Sequence, residues 1–435
     1  MSVPRARTAS TVVVGGGPAG LMAAETLARS GCSVTIFDAM PSVGRKFLLA
    51  GRGGLNLTHS EPLEILLARY GTDVDFLQAA IMSFGPNELR EWSASLGETT
   101  FVGSSGRVFP ASLRATPLLR AWLRRLDELG VERRPRYRWQ GWVPDSPTAL
   151  MFADPDDQVI SVHADATIFA LGGASWPRTG SNGNWVEIFQ HAGIDVTPLR
   201  PANCGFTVNW SQPFRATFAG APVKNIAMSF GGVTIRGEAM ISDDGIEGGA
   251  TYALSRAIRG AIERDATNRD TTNRDATDRD ATEVQVGERA EPLTISIDLL
   301  PDLDVDEVIT RVERRRPKES SSTLLRRLGL PPVSVGLIRE SAENHIPSDP
   351  SDLARLIKAV HIRLVSTGAI ERAISTAGGI RKDQIDSTFM LHRRPGTFVA
   401  GEMLDWEAPT GGYLLQATMS TARAAAQGAI AWLNR

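Results

Sequence analysis

Thr11-Val12-Val13-Val14-Gly15-Gly16-Gly17-Pro18-Ala19-Gly20-Leu21 decides the fold. The first four residues are an apolar, β-branched run with a polar leader before it and glycines after it, the pattern of a buried parallel strand. A helical pattern follows from Leu21 to Arg29, with Leu21, Ala24, Leu27 and Ala28 on one face. Gly31 stops it, Ser33-Val34-Thr35-Ile36-Phe37 reads as a second strand, and Asp38 stands at that strand's carboxyl end. A strand, a G-x-G-x-x-G turn, a helix, a strand and an acid within about thirty residues mark a dinucleotide site. Gly15 permits the tight turn, Gly17 lets backbone approach a pyrophosphate, and Gly20 lets the helix pack closely on the strand. The helix N-terminus offers unpaired N–H groups and partial positive charge to the phosphates, and Asp38 can accept hydrogen bonds from ribose hydroxyls.

The 435 residues leave room for two or three domains and a sizeable core. Hydrophobic content of 42% beside 22% charged residues is that of an ordinary globular protein. A net charge of −2 argues against a nucleic-acid partner, which usually shows as a strongly basic domain. Cys32 and Cys204 cannot build a disulfide framework, and without a C-x-x-C there is no dithiol redox centre. The six histidines are scattered without metal-ligand spacing, so no metal is expected. The leader carries Arg5 and Arg7 but no apolar segment of a signal peptide follows it. No stretch approaches the roughly 18 apolar residues of a membrane span. A cytoplasmic protein without membrane contact is expected.

Beyond Asp38 runs Gly44-Arg45-Lys46-Phe47-Leu48-Leu49-Ala50-Gly51-Arg52-Gly53-Gly54-Leu55-Asn56-Leu57-Thr58-His59-Ser60. So many glycines predict an ordered loop without a regular element, whose backbone N–H groups, with Arg45, Lys46 and Asn56, can line a ligand. The stretch resembles the hallmark segment of the BaiN/YhiN-type family of bacterial flavoproteins, described as NAD(P)/FAD-dependent oxidoreductases. Where the commoner family pattern has Arg-Cys-Asn, this chain has Gly54-Leu55-Asn56, so no thiol chemistry carries over to position 55. The resemblance continues through Gly106-Arg107-Val108-Phe109-Pro110, through Gly172, Gly173, Ser175, Pro177, Gly180, Ser181 and Gly183, and through Gly401–Gln416.

Between these motifs the patterns are coarser. Leu63–Leu96 reads as helical with breaks at Gly71 and Gly85-Pro86, and Thr116-Pro117 opens an amphipathic helix burying Leu118, Leu119, Trp122, Leu123 and Leu126. Val131–Trp142, Ala149–Ala153 and Val159–Ala164 look like an antiparallel meander, and Ala166–Leu171 like a buried strand ending at Gly172-Gly173. Short alternating segments from about Asp195 suggest a barrel or sandwich. Helical runs at Asp304–Arg316, Leu324–Leu328, Ser334–Asn344 and Asp352–Lys358 suggest a lobe within it. His361–Val365 and Ala369–Ser375 look like a closing hairpin. The five-residue repeat near Arg264–Glu283 has almost no apolar residues and predicts a disordered surface loop. Thr397–Ala400 is a further strand, and Ala417–Leu433 a small-residue helix.

The expected architecture is α/β: a Rossmann-like two-dinucleotide-binding flavoprotein domain at 1–194 and 375–435, interrupted by a β-barrel domain at 195–374 with a helical lobe near 301–358. The resemblance implies non-covalent FAD. The cofactor residues expected are Gly15, Gly17, Pro18, Ala19, Gly20, Asp38, Ala39, Arg45, Lys46, Asn56, Leu57, Thr58, Gly172, Gly173, Gly401, Glu402, Gly412, Tyr413 and Leu414. Glu402 stands where relatives of the wider fold use Asp toward the ribityl or phosphate region. The helix after Gly412 is implied to point at the flavin N1–C2=O edge. Hydride would pass from NAD(P)H through flavin N5 to an unsaturated or carbonyl-conjugated small molecule. With a single G-x-G-x-x-G, the donor would dock transiently. Arg52, His59, Arg107 and Asp405 are candidate catalytic residues, His59 as an acid. An FAD-dependent protein that modifies or accompanies RNA is the alternative, and a flavin-binding regulator with little turnover a third.

Overall fold

The computed structural model describes residues 9–51, 53–146, 148–276 and 293–435. Two compact units emerge, Met1–Arg200 with Ser375–Arg435, and Pro201–Ile374.

The first unit is built on a five-stranded parallel sheet. Its strands run in the order Thr397–Val399, Ala166–Phe169, β1 (Ser10–Val14), β2 (Ser33–Asp38) and Glu132–Pro135. Val13 at the centre pairs with Ile168 on one side and Ile36 on the other. All three are buried, as a sheet covered on both faces requires. Helix α1 (Pro18–Arg29) packs against the C-terminal helix Tyr413–Leu433. The small residues Ala417, Ala422, Ala425 and Ala426 of that helix are fully buried. The fifth strand departs from the expected meander. Glu132-Arg133-Arg134-Pro135 is too polar to read as a buried parallel strand, but it takes the sheet edge, where polar residues and proline are tolerated. The meander itself is Arg138–Trp142, Leu150–Ala153 and Val159–Val162.

The glycine-rich stretch after β2 also contains regular structure, contrary to the loop expected there. Helix α2 (Arg45–Ala50) fills the interval between Gly44 and Gly51 with good helix formers and buries Phe47. Thr58–His59 is a strand paired with Arg107–Pro110. The helices Leu63–Ala68, Val74–Ser83 and Pro86–Ser95 break where Gly71 and Gly85 stand.

The second unit holds a six-stranded antiparallel sheet in the order Phe206–Thr207, Gly245–Glu247, Val233–Ile241, Pro222–Phe230, Thr294–Asp298 and Val360–Arg363. Val365 N–H donates to Thr207 O and Thr207 N–H to Ser366 O, both at 2.9 Å, so the sheet curls back on itself. Helices Val305–Glu313, Ser321–Arg327, Pro332–Ser341 and Pro350–Lys358 form the lobe. No hairpin joins 361–365 to 369–375. Val360–Arg363 gives its ladder to Thr294–Asp298, and Ile370–Arg372 is a 3-10 turn. The repeat expected as a loop begins inside the helix Gly249–Ala276, and residues 277–283 lie outside the described ones.

Candidate functional site

The turn after β1 is shaped by close approach. Gly15 has φ +105°, and its N–H donates to Phe37 O at 2.8 Å. A Cβ at Gly20 would stand 1.8 Å from Gly15 O, so only glycine lets α1 come this near the strand. Gly17 differs: a Cβ there would meet no heavy atom within 4 Å. Gly17 is the N-cap of α1 in an extended conformation with Pro18 at the first helical position. Open space therefore faces the first, unpaired amides of a 12-residue helix. Asp38 closes one side, its Oδ2 accepting from Gly16 N–H at 2.6 Å and Oδ1 from Met40 N–H at 2.7 Å. Burial raises its pKa, and the two amide bonds and the Arg45 charge oppose that rise. Ala39 beside it is exposed. Gly44 N–H donates to Gly16 O at 2.8 Å and so ties the start of α2 to the same turn.

Three further stretches meet here. A Cβ on Gly401 would stand 2.8 Å from the Ala19 methyl. From α2, Lys46 Nζ donates to Glu402 Oε2 at 2.7 Å, to Ser175 Oγ at 2.7 Å and to Ser181 Oγ at 3.5 Å. Glu402 also accepts from Thr376 N–H at 2.9 Å and Gly173 N–H at 3.4 Å. Thr376 Oγ1 in turn accepts from Ala174 N–H at 2.9 Å and Ser175 N–H at 3.2 Å. Gly172 stands beside Ser181. Lys46, Gly172, Gly173, Gly401 and Glu402 are thus brought together as members of one polar network. Sequence reasoning missed Thr376. Its signal was Gly378-Gly379, a glycine pair within a strand, which marks close backbone approach.

A second group gathers at the start of the C-terminal helix. Gly412, at φ +98°, packs so closely on Thr58 that a Cβ would lie 2.5 Å from its carbonyl oxygen. Thr58 Oγ1 donates to Gln416 Oε1 at 2.6 Å, and Gln416 Nε2 donates to Phe84 O at 2.7 Å. Tyr413 donates its hydroxyl to Glu61 Oε1 at 2.7 Å, while Arg69 forks onto both Glu61 oxygens at 3.2 and 2.8 Å. Burial would raise the Glu61 pKa, but the Arg69 and Tyr413 hydrogen bonds outweigh it and hold it low. Leu57 is fully buried and Leu414 half-buried. Asn56 Oδ1 and Arg45 Nε are buried without any hydrogen-bond partner among the described residues.

The catalytic candidates have differing surroundings. His59 stacks on Tyr413 with ring centroids 5.4 Å apart. Its Nδ1 accepts from Glu61 N–H at 3.2 Å, which leaves the proton on Nε2, 3.0 Å from Ser105 O. Both ring nitrogens therefore have backbone partners. Arg107 is the exposed register partner of His59. Asp405 Oδ2 accepts from Thr197 Oγ1 at 2.6 Å. Arg52 lies outside the described residues. Among the described residues no group of three or more His, Cys, Asp or Glu could hold a metal ion, and no helix is long and apolar enough to cross a membrane.

Known proteins resemble this chain along its length. A 3-dehydro-bile acid delta(4,6)-reductase of Clostridium scindens is 26% identical over 426 residues, covering 96% of this chain and 98% of its own. A ribosomal RNA dihydrouridine synthase of Haemophilus influenzae is 24% identical over 434 residues, covering 95% and 97%. The 3-ketosteroid delta1-dehydrogenase of Sterolibacterium denitrificans shares the fold, with a TM-score of 0.52 at 12% identity over 98% of this chain and 100% of that one. The HI0933-like protein Rossmann domain matches residues 9–428, a span that takes in the turn after β1, α2, the Gly172–Gly183 segment and the Gly412 helix start; the chain belongs to that family.

Proposed function

We propose that this protein is a flavin-dependent oxidoreductase. In this reading FAD is held non-covalently, hydride passes from NAD(P)H to a small organic substrate whose carbon–carbon double bond is conjugated to a carbonyl, and a proton from solvent completes the reduction of that bond. The observation that carries the reading is the convergence of four distant stretches on a turn whose open side faces Gly17 and the first amides of α1. The relative named as a 3-dehydro-bile acid delta(4,6)-reductase supports the substrate class.

The residues fit the cofactor. Gly15, Gly17, Pro18, Ala19 and Gly20 take the pyrophosphate at the positive end of α1. Asp38, with lone pairs left after two amide bonds, takes the adenosine ribose beside Ala39. Arg45 Nε and Asn56 Oδ1, buried and unpartnered, are satisfied by polar atoms of the bound group. Gly172, Gly173, Gly401 and Glu402 bring backbone close to its middle, with Lys46 holding the Glu402 carboxylate in place. Leu57, Thr58, Gly412, Tyr413 and Leu414 present the N-terminus of the last helix, whose partial positive charge favours negative charge on the ring. Bound flavin supplies hydride chemistry at N5. His59, the candidate acid, stacks on Tyr413 and hydrogen-bonds through its ring nitrogens to the backbone of Glu61 and Ser105.

Purified protein should be yellow, release FAD on denaturation, and bleach when mixed anaerobically with NADPH or NADH. Colourless protein that cannot be reconstituted removes the flavin, and failure to bleach with either nucleotide removes the donor. A second reading, reduction of uridine within RNA, is favoured by the dihydrouridine synthase relative. Salt-sensitive binding of ribosomal RNA fragments would select that reading.

A further inference from the structure

Of the nine tryptophans in the chain, eight have an aromatic or cationic neighbour: Trp92 with Trp122, Trp139 with Trp142, Trp185 with Phe189, Trp210 with Phe214, Trp406 with Tyr70, and Trp432 with Arg435. Trp176 alone has no such partner among the described residues. It is 36% exposed, the one tryptophan among the exposed large apolar residues.

Its backbone is as unusual as its ring. Trp176 has φ +56° and ψ +60°, a left-handed conformation that a bulky residue rarely adopts, and it precedes Pro177. The strain is clamped on both sides. Before it, Ser175 is fully buried, accepting from Lys46 Nζ and donating its N–H to Thr376 Oγ1. After it, Thr179 donates both N–H and Oγ1–H to the Trp176 carbonyl at 2.8 Å. Gly180 then packs on Met40, with a Cβ position 2.8 Å from Cγ. The segment that carries Trp176 is therefore locked into the Lys46–Glu402 network while its largest apolar ring stays partly exposed. A strained, over-determined backbone beside a site is a common device for aiming one side chain.

We propose that Trp176 is the substrate-stacking residue: its indole face takes the flat, conjugated ring of the carbonyl substrate. This deepens the oxidoreductase reading and rests on it. An unstacked indole held rigidly loses little conformational freedom on binding, and a conjugated ring gains more from its face than a saturated one does.

The test compares wild type, Trp176→Phe and Trp176→Ala, each as FAD-loaded protein. The probes are a bile acid carrying a 3-oxo-4,6-diene and its saturated 3-oxo counterpart, with binding followed through the flavin visible spectrum. The diene should bind wild type more tightly than the saturated compound. Trp176→Phe should stay within about threefold, and Trp176→Ala should weaken diene binding by about tenfold and erase the preference. FAD content and the rate of bleaching by NAD(P)H should not change in either variant. Unaltered diene binding by Trp176→Ala overturns the proposal, as does wild type that bleaches normally yet binds neither probe. Loss of FAD from Trp176→Ala also overturns it, making the ring a cofactor contact. Colourless wild type fails the oxidoreductase reading itself and is recognised before any probe is added.

Discussion

Lys46 Nζ and Glu402 Oε2 lie 2.7 Å apart although 356 positions separate them in the chain. Their side chains are 24% and 16% exposed, so the pair is partly withdrawn from water and its loss is felt. Lys46→Met leaves the Glu402 carboxylate with only its two amide donors, Thr376 and Gly173. The expected cost is on the order of 1–3 kcal/mol in the stability of the first unit. Lys46→Met with Glu402→Gln should recover part of it, because no uncompensated charge remains. A thermal-unfolding double-mutant cycle measures this, and strictly additive single effects would show that the two groups do not stabilise one another.

Gly17 and Gly20 make opposite demands on an added methyl group. Gly20→Ala must push the Gly15 carbonyl away and should destabilise the protein whether or not cofactor is present. Gly17→Ala meets open space at a negative φ, so the apoprotein should unfold within about 1 kcal/mol of wild type. The new methyl would nevertheless occupy the face assigned to the pyrophosphate, and FAD affinity should fall at least about tenfold. Paired FAD titrations and apoprotein melting curves separate the two effects. Wild-type FAD affinity in Gly17→Ala would move the pyrophosphate elsewhere.

What could be read in the sequence was what is local. β1, its glycine turn, α1 and β2 carry period, breakers and a terminal acid within one short segment, and they fold as that pattern implies. The Lys46–Glu402 pair could not be read, because no local period links residues that meet only through the sheet order. Thr376 was missed for the same reason, its one local trace being the Gly378-Gly379 pair two residues on. Helix α2 was masked by the glycines on either side of it, although Phe47 gave it a buried anchor. The edge strand Glu132–Pro135 was hidden by its polarity. An edge strand satisfies the ladder on one side only and needs no apolar run.

Glu25 tests how much of the first unit's stability rests on one buried carboxylate. It is 3% exposed and accepts from Trp92 Nε1 at 3.0 Å, Trp122 Nε1 at 2.7 Å, Arg125 Nη1 at 3.1 Å and Arg29 Nε at 3.0 Å. Glu25→Ala strands two buried indole N–H groups and leaves the largely buried Arg125 guanidinium with Ser95 in place of a carboxylate. A loss of about 3–5 kcal/mol is expected. Glu25→Gln keeps one acceptor oxygen and should cost less. Neither change touches the residues assigned to the cofactor, so whatever protein remains folded should keep its FAD. An unchanged melting temperature in Glu25→Ala would mean that the indoles find other acceptors.

Glu61 gives the site a dependence on pH whose sign follows from its partners. Burial raises its pKa, but Arg69 and Tyr413 together lower it below the ordinary glutamate value. A carboxylate with a lowered folded-state pKa adds stability above its unfolded pKa and loses it as pH falls through the folded value. Wild type should therefore exceed Glu61→Gln in stability by a constant margin above the ordinary glutamate range and lose that margin as pH falls below it. The same protonation releases Arg69 and weakens the acceptor for Tyr413 at the start of the last helix. Cofactor retention should fall over the same interval in wild type. Melting temperatures of both proteins across this range decide the matter, and a margin that grows as pH falls would reverse the assignment of Arg69 and Tyr413 as the dominant partners.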